Sequence, residues 1–318
     1  MRLFFRALIL VFIAAFLSAA QIGFASDLGV IKMTVDENDQ MTINVQVNDK
    51  EGLAVLDTAA TYALIDAAML TDGNSQPRDE QVEILGVTGR RLFPTTQIGP
   101  VMTGEIDLNS MPAAINSQTR FPGHKTILPA NAFRSRVIDF DFLKNQIELY
   151  DRRPKAARGS VLSKISYREI DGLPFIEVRL NGKTGLALID TGSDATYINS
   201  AFAQLAGARL QQDRTIRLFG ADAGGTSVSV MSAKRLQLGK HQMRDFLILS
   251  ADPPMFEHLG LADQPIMVLG LDTLRNFRVQ IDRQRKQIIL ARPEDPYEGQ
   301  RRFRVQPFSS RIRPDGTG

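Results

Sequence analysis

The 318-residue sequence predicts an all-β chain of two similar lobes set in tandem. Three observations predict it. The segment "VQVNDKEGLAVLDTAA" (45–60) returns as "VRLNGKTGLALIDTGS" (178–193), offset by 133 residues with eight of sixteen positions identical. Both copies set an Asn-x-Lys turn between alternating apolar runs, the pattern of a β-hairpin. The charged stretch "DRRPKAARGS" (151–160) carries Pro and Gly without apolar periodicity, and so reads as a linker between the copies.

Each copy opens as strand, turn and strand, and the second strand runs into an acid: Asp57 in the first copy, Asp190 in the second. A carboxylate after so apolar a run as 185–189 is costly to bury unless hydrogen bonds or a partner compensate it. A strand-end Asp often only caps its own turn, but a turn residue has no reason to recur in register. Downstream, "TILPANAF" (126–133) answers "MVLGLDTL" (267–274), each read as a strand followed by one short helix. Then "DFLKNQIELY" (141–150) answers "DRQRKQIILA" (282–291), with Asp141, Gln146, Ile147 and Leu149 returning as Asp282, Gln287, Ile288 and Leu290. Between these landmarks each copy is β-rich and carries a glycine-bearing loop, "ILGVTGRR" (84–91) and "LFGADAGGTS" (218–227). The expected division is a first lobe at 28–150, a linker at 151–163, a second lobe at 164–295 and a basic, disordered tail at 296–318.

The first twenty residues hold Arg2, Arg6 and a fourteen-residue apolar run, short for a membrane span and suited to a secretory signal. Ser18 and Ala20 offer a cleavage site, and Gly23 with Ala25 a second. The expectation is export to the periplasm or the medium, with no stable membrane span after cleavage. The formal net charge is +3, but the ends carry the positive excess and residues 21–300 sum to −3. A nucleic-acid-binding body is not supported. With no cysteine, disulfides, thiolate nucleophiles and Cys-ligated metals are excluded. His124, His241 and His258 lie far apart and give little support to a zinc site or a Ser-His-Asp triad. No metal or cofactor is expected.

The "DTGS" at 190–193, the later "VLG" at 268–270 and the closing strand pair resemble a lobe of a retropepsin-like aspartic protease. Two such lobes in one chain resemble the bilobal arrangement of pepsin, with each lobe of retroviral size, and the resemblance implies two pseudo-symmetric β-barrel lobes. The resemblance covers about residues 40–295 and implies an endopeptidase whose dyad is Asp57 and Asp190. It implies that Thr58 and Thr191 hydrogen-bond across the pseudo-twofold axis, and that Gly192 permits close approach there. Ser193 is expected to donate its hydroxyl proton to the outer oxygen of Asp190, making Asp190 the more readily ionised member, because Ala60 cannot do the same. Gly270 belongs to the same support. The loops bearing Gly86 and Gly89, and Gly220, Gly224 and Gly225, are candidate flaps over an extended peptide bound as an added strand.

The first copy departs from this pattern. It has Ala59 where the second has Gly192, and Pro129 where the second has Gly270. Two alternatives therefore stand beside the active monomeric protease: a peptide-binding relative without catalysis, and a homodimer that pairs two Asp190 lobes.

Overall fold

The computed structural model describes residues 27–35, 40–70, 80–118, 123–157, 160–222, 224–293 and 313–314. The expected signal segment lies outside the described residues, as does all of the 296–318 tail except Arg313–Pro314, which pair with Ile216 and Arg217.

The repeat folds as the same local unit twice. In the first lobe Met41–Val47 pairs antiparallel with Lys50–Asp57, and in the second Leu173–Leu180 pairs with Lys183–Ile189. The turns need positive φ, and Asn48 (54°), Asn181 (49°) and Gly182 (85°) supply it. Each second strand is then joined in parallel by the later motif, Ile127–Pro129 in one lobe and Ile266–Leu269 in the other. A short strand crosses that motif antiparallel, through Leu64 or through Tyr197 and Ile198. Ala187, Leu188, Ile189, Val268 and Leu269 are completely buried, so the apolar runs fix the depth at which each acid emerges. Short helical turns follow both motifs, Ala130–Ala132 and Leu271–Leu274.

Six strands form one antiparallel sheet that joins the lobes. Its order is Asp27–Val35, Gln146–Tyr150, Val137–Asp141, Arg278–Asp282, Gln287–Pro293 and Ser160–Ile170. Its two central strands come from different lobes, and Asp139 faces its pseudo-symmetric counterpart Gln280 across the join. Asp139 is completely buried and fully bonded. Arg278 donates to both its oxygens, from Nε at 2.8 Å and Nη2 at 2.7 Å. The Tyr150 hydroxyl (2.8 Å) and Gln280 Nε2 (2.7 Å) donate to Oδ2 as well. The bonds to Asp139 hold the Arg278 guanidinium more firmly protonated than usual, in spite of burial.

The segment read as linker is shorter than 151–163, because Ser160–Ile170 already pairs with Gln287–Pro293 from Ser160 onward. Lys155 within it bonds to Glu148, so part of it is fastened to the sheet. Two further helices answer signals in the second copy alone. Ser200–Ala206 is capped by the Asn199 side chain and closed by Gly207 at φ 59°. Pro254–His258 has Pro at its first turn. Among the described residues no helix is long and apolar enough to cross a membrane.

Candidate active site

Asp57 and Asp190 sit at the ends of the two buried strands and line one cleft. The two loops are locked to each other by their threonines. The Thr58 hydroxyl donates to the Ile189 carbonyl (2.7 Å) and accepts from the Thr191 amide (3.0 Å). Reciprocally, the Thr191 hydroxyl donates to the Leu56 carbonyl (2.6 Å) and accepts from the Thr58 amide (3.1 Å). Both side chains are buried, so water does not compete for these bonds. A Cβ added at Gly192 would stand 2.3 Å from the carboxyl carbon of Asp57. The glycine of the second motif thus admits the acid of the first, rather than a neighbouring backbone.

Backbone amides orient both acids. Ala59 N–H donates to Asp57 Oδ1 at 2.6 Å, while the amides of Gly192 and Ser193 both donate to Asp190 Oδ1 at 2.9 Å. The expected hydroxyl bond from Ser193 is not made. Its Oγ donates to the Ala195 carbonyl at 2.9 Å instead, which is nearer along its own turn. Two backbone amides hold Asp190 Oδ1, and this hydroxyl takes no part in holding it. Ser193→Ala is therefore expected to cost about 1 kcal/mol of stability and to leave the pH dependence of cleavage where it is. A displaced pH profile in that variant would contradict the assignment.

The departures of the first copy are milder than the sequence suggests. Ala59 is not among the described residues with positive φ, so its methyl brings no backbone strain. Its side chain packs against the apolar cluster of the second lobe. Pro129 lacks the amide that its counterpart Gly270 uses to reach Thr196 Oγ1 (3.1 Å). The residue matching Thr196 in the first copy is Ala63, which has no hydroxyl to be left unpaired. Donor and acceptor have gone together, a change that is nearly neutral when both sites become apolar.

The network lost there is intact in the second lobe. Asp272 accepts from the Thr196 amide (2.9 Å) and hydroxyl (2.5 Å), and its own amide donates to the Asp194 carbonyl (3.2 Å). The matching residues in the first copy are Asn131 and Ala63. Burial pushes the Asp272 carboxyl up to about 6, against hydrogen bonds from Thr196 and Thr273 that pull it down. A raised folded pKa means that the folded chain holds this proton more tightly than the unfolded one. The resulting stability is full below the unfolded carboxylate range and is lost as pH rises through about 6. Asp272→Asn should remove a slope of up to about 1.4 kcal/mol per pH unit in that window. Urea titrations of parent and variant across it measure the difference, and parallel curves would contradict the assignment.

The cleft encloses about 390 Å³. Its walls are mostly apolar, with Tyr62, Ile84 and Leu173 among them, and Glu83 and Asp171 add acids. Gly86 and Gly220 line it from the two hairpin loops, beside Val87 and Ala221. Gly89 and Gly224 lie close by, against Asp222, whereas Gly225 packs on the Phe219 ring at the start of its strand. Gly270 lies under Ala195, whose backbone a Cβ would meet at 2.5 Å.

Two contributors to the cleft lie outside the repeated motifs. Met255, His258 and Leu259, from the insertion at 251–265, line the cleft. Pro254 followed by a short apolar pattern was the available signal. Tyr197 also lines it, with its ring 6.4 Å from that of Phe256. Burial, and then the charges of Asp190 and Asp57, hold the Tyr197 phenol well above its usual range.

The family described as aspartyl protease matches residues 176–273, the segment that carries Asp190, Gly270 and Asp272. Comparison with curated proteins found no match. Among solved structures, the aspartic proteinase from Irpex lacteus superposes with a TM-score of 0.52 at 12% identity, over 84% of this chain and 97% of that one. At that identity the likeness is one of fold. Residues 176–273, in the second lobe, are thus similar to the aspartyl proteases, and the chain has the all-β, bilobal fold of the acid proteases.

Proposed function

We propose that this aspartic protease is an exported, monomeric endopeptidase that activates water with the Asp57 and Asp190 carboxylates of a single chain. The observation that carries the reading is the reciprocal bonding of Thr58 and Thr191, with Asp57 seated against Gly192 of the other motif. Two loops 133 residues apart are held together by the residues that flank the acids. Nothing in an independent fold of either lobe calls for that arrangement.

Two neighbouring carboxylates repel when both are ionised, so the pair holds one proton over a working range of pH. The ionised acid takes a proton from water as the water oxygen attacks the peptide carbonyl carbon. The protonated acid gives its proton to the carbonyl oxygen, and a tetrahedral diol results. Collapse breaks the C–N bond, with the nitrogen taking a proton from the first acid and a diol hydroxyl returning one to the second. The pair ends with one proton, as it began. The substrate is an extended peptide or protein segment laid along the cleft, with its side chains alternating between walls. Export rests on the pattern of residues 1–20.

The experiment is cleavage of a mixed peptide library by the chain from residue 21 onward, from acidic to neutral pH, read by mass spectrometry. Internal cleavage with optimum activity on the acid side supports the reading. A folded chain that cuts no peptide at any pH removes it, and leaves the peptide-binding alternative.

A further inference from the structure

The two glycine-bearing loops meet each other, and a carboxylate occupies the place where they meet. Asp222, in the loop of the second lobe, is 5% exposed. The Thr88 hydroxyl, from the loop of the first lobe, donates to its Oδ2 at 2.5 Å. Glycines from both loops close around it. A Cβ at Gly86 would come within 1.9 Å of Asp222 Oδ1, and one at Gly220 within 2.3 Å. At Gly224 and Gly89 the distances to Oδ2 would be 2.5 and 3.2 Å. These glycines therefore serve to admit a side chain, beyond any freedom they lend to the turns.

The apolar neighbours cross over in the same way. Val87, from the first lobe, packs against the apolar cluster of the second lobe, and Ala221, from the second, packs against a cluster of the first. Arg90, just past the first loop, reaches Glu257 of the second lobe at 3.3 Å. One feature opposes this closed arrangement. Asp222 Oδ1 is buried with no hydrogen-bond donor among the described residues. Water would satisfy that oxygen once the loops part, so the contact favours closure without making it permanent.

We propose that Asp222 is a positioning residue that latches the flap of one lobe to the flap of the other, so that the two open and close over the cleft as a single roof. The substrate beneath that roof rests on the proteolytic reading above; the latch itself does not. Because Val87 and Ala221 line the cleft, fixing the two tips together also fixes its ceiling. Peptide entry then requires the Thr88–Asp222 contact to break, and productive binding requires it to re-form.

The chain has no cysteine, so a pair introduced by Thr88→Cys and Asp222→Cys is the only one present. Oxidation is expected to join these positions within the chain, seen as a mass loss without dimer formation. Capture of a fluorescent statine-containing peptide should then slow by about tenfold or more and recover with reductant. Asp222→Ala, which needs no cross-link, should fold normally and raise KM for cleaved peptides more than it lowers kcat. A pair that does not oxidise, or a cross-linked chain that captures peptide at the parent rate, overturns the latch. So does an Asp222→Ala chain whose peptide capture and KM are unchanged. Capture needs no turnover, so a parent that binds peptide without cutting it removes the protease reading and leaves the latch to be judged on these outcomes.

Discussion

Asp57→Asn is expected to lower kcat by about 10²–10⁴-fold, as Asp190→Asn does, although Asp57 stands in the degenerate motif. Either substitution leaves one carboxylate beside an amide, which cannot share a proton or exchange roles between the two halves of the reaction. The Ala59 amide bond to Asp57 (2.6 Å) and the Gly192 and Ser193 amide bonds to Asp190 (2.9 Å) can be kept by the Asn carbonyl oxygen. Both variants should therefore fold, with unfolding transitions close to that of the parent, while losing cleavage. Equal losses matter more than the size of either. If Asp57→Asn retained most of its activity, the first lobe would be scaffold.

Arg278→Ala is expected to destabilise the chain by about 3–5 kcal/mol, because it leaves a buried carboxylate without its charged partner. Asp139 is completely buried, and Arg278 supplies two of its four side-chain bonds, at 2.8 and 2.7 Å. Tyr150 and Gln280 remain, but neither brings a charge. Replacing both members with apolar residues of similar size, as in Asp139→Leu with Arg278→Met, should recover much of the loss. Urea denaturation of the two variants separates an uncompensated charge from a general loss of packing. If single and double substitutions cost the same, the ion pair is not what the sheet depends on.

Much of the fold was legible because the repeat is in register. Identical spacing of hairpin, acid and threonine carried Asp57, Asp190, Thr58 and Thr191 to one place without any knowledge of loop lengths. The hairpin turns were legible for a local reason, since Asn48, Asn181 and Gly182 supply the backbone angles that those turns demand. What was missed is non-local or degenerate. The Ser193 hydroxyl turns to the Ala195 carbonyl, and nothing in "DTGS" says which way it turns. The glycines of the hairpin loops marked candidate flaps, but did not show that Gly86 and Gly220 are small because Asp222 lies against both. That contact joins residues 134 apart, from Thr88 to Asp222, and local periodicity holds no record of it. Pro129 looked like a lesion when read alone. Its harmlessness depends on Ala63, far away in sequence, having lost the acceptor as well.

In the proposed mechanism one chain supplies both acids of one dyad. The most direct measurement compares initial cleavage rates of the parent, Asp57→Asn, Asp190→Asn and an equimolar mixture of the two variants. A dyad within one chain predicts cleavage by the parent alone, at a rate proportional to chain concentration, with the mixture as silent as its components. A dyad shared between chains would restore activity in the mixture, and a protease resting on Asp190 alone would survive Asp57→Asn. Either result excludes a dyad made within one chain.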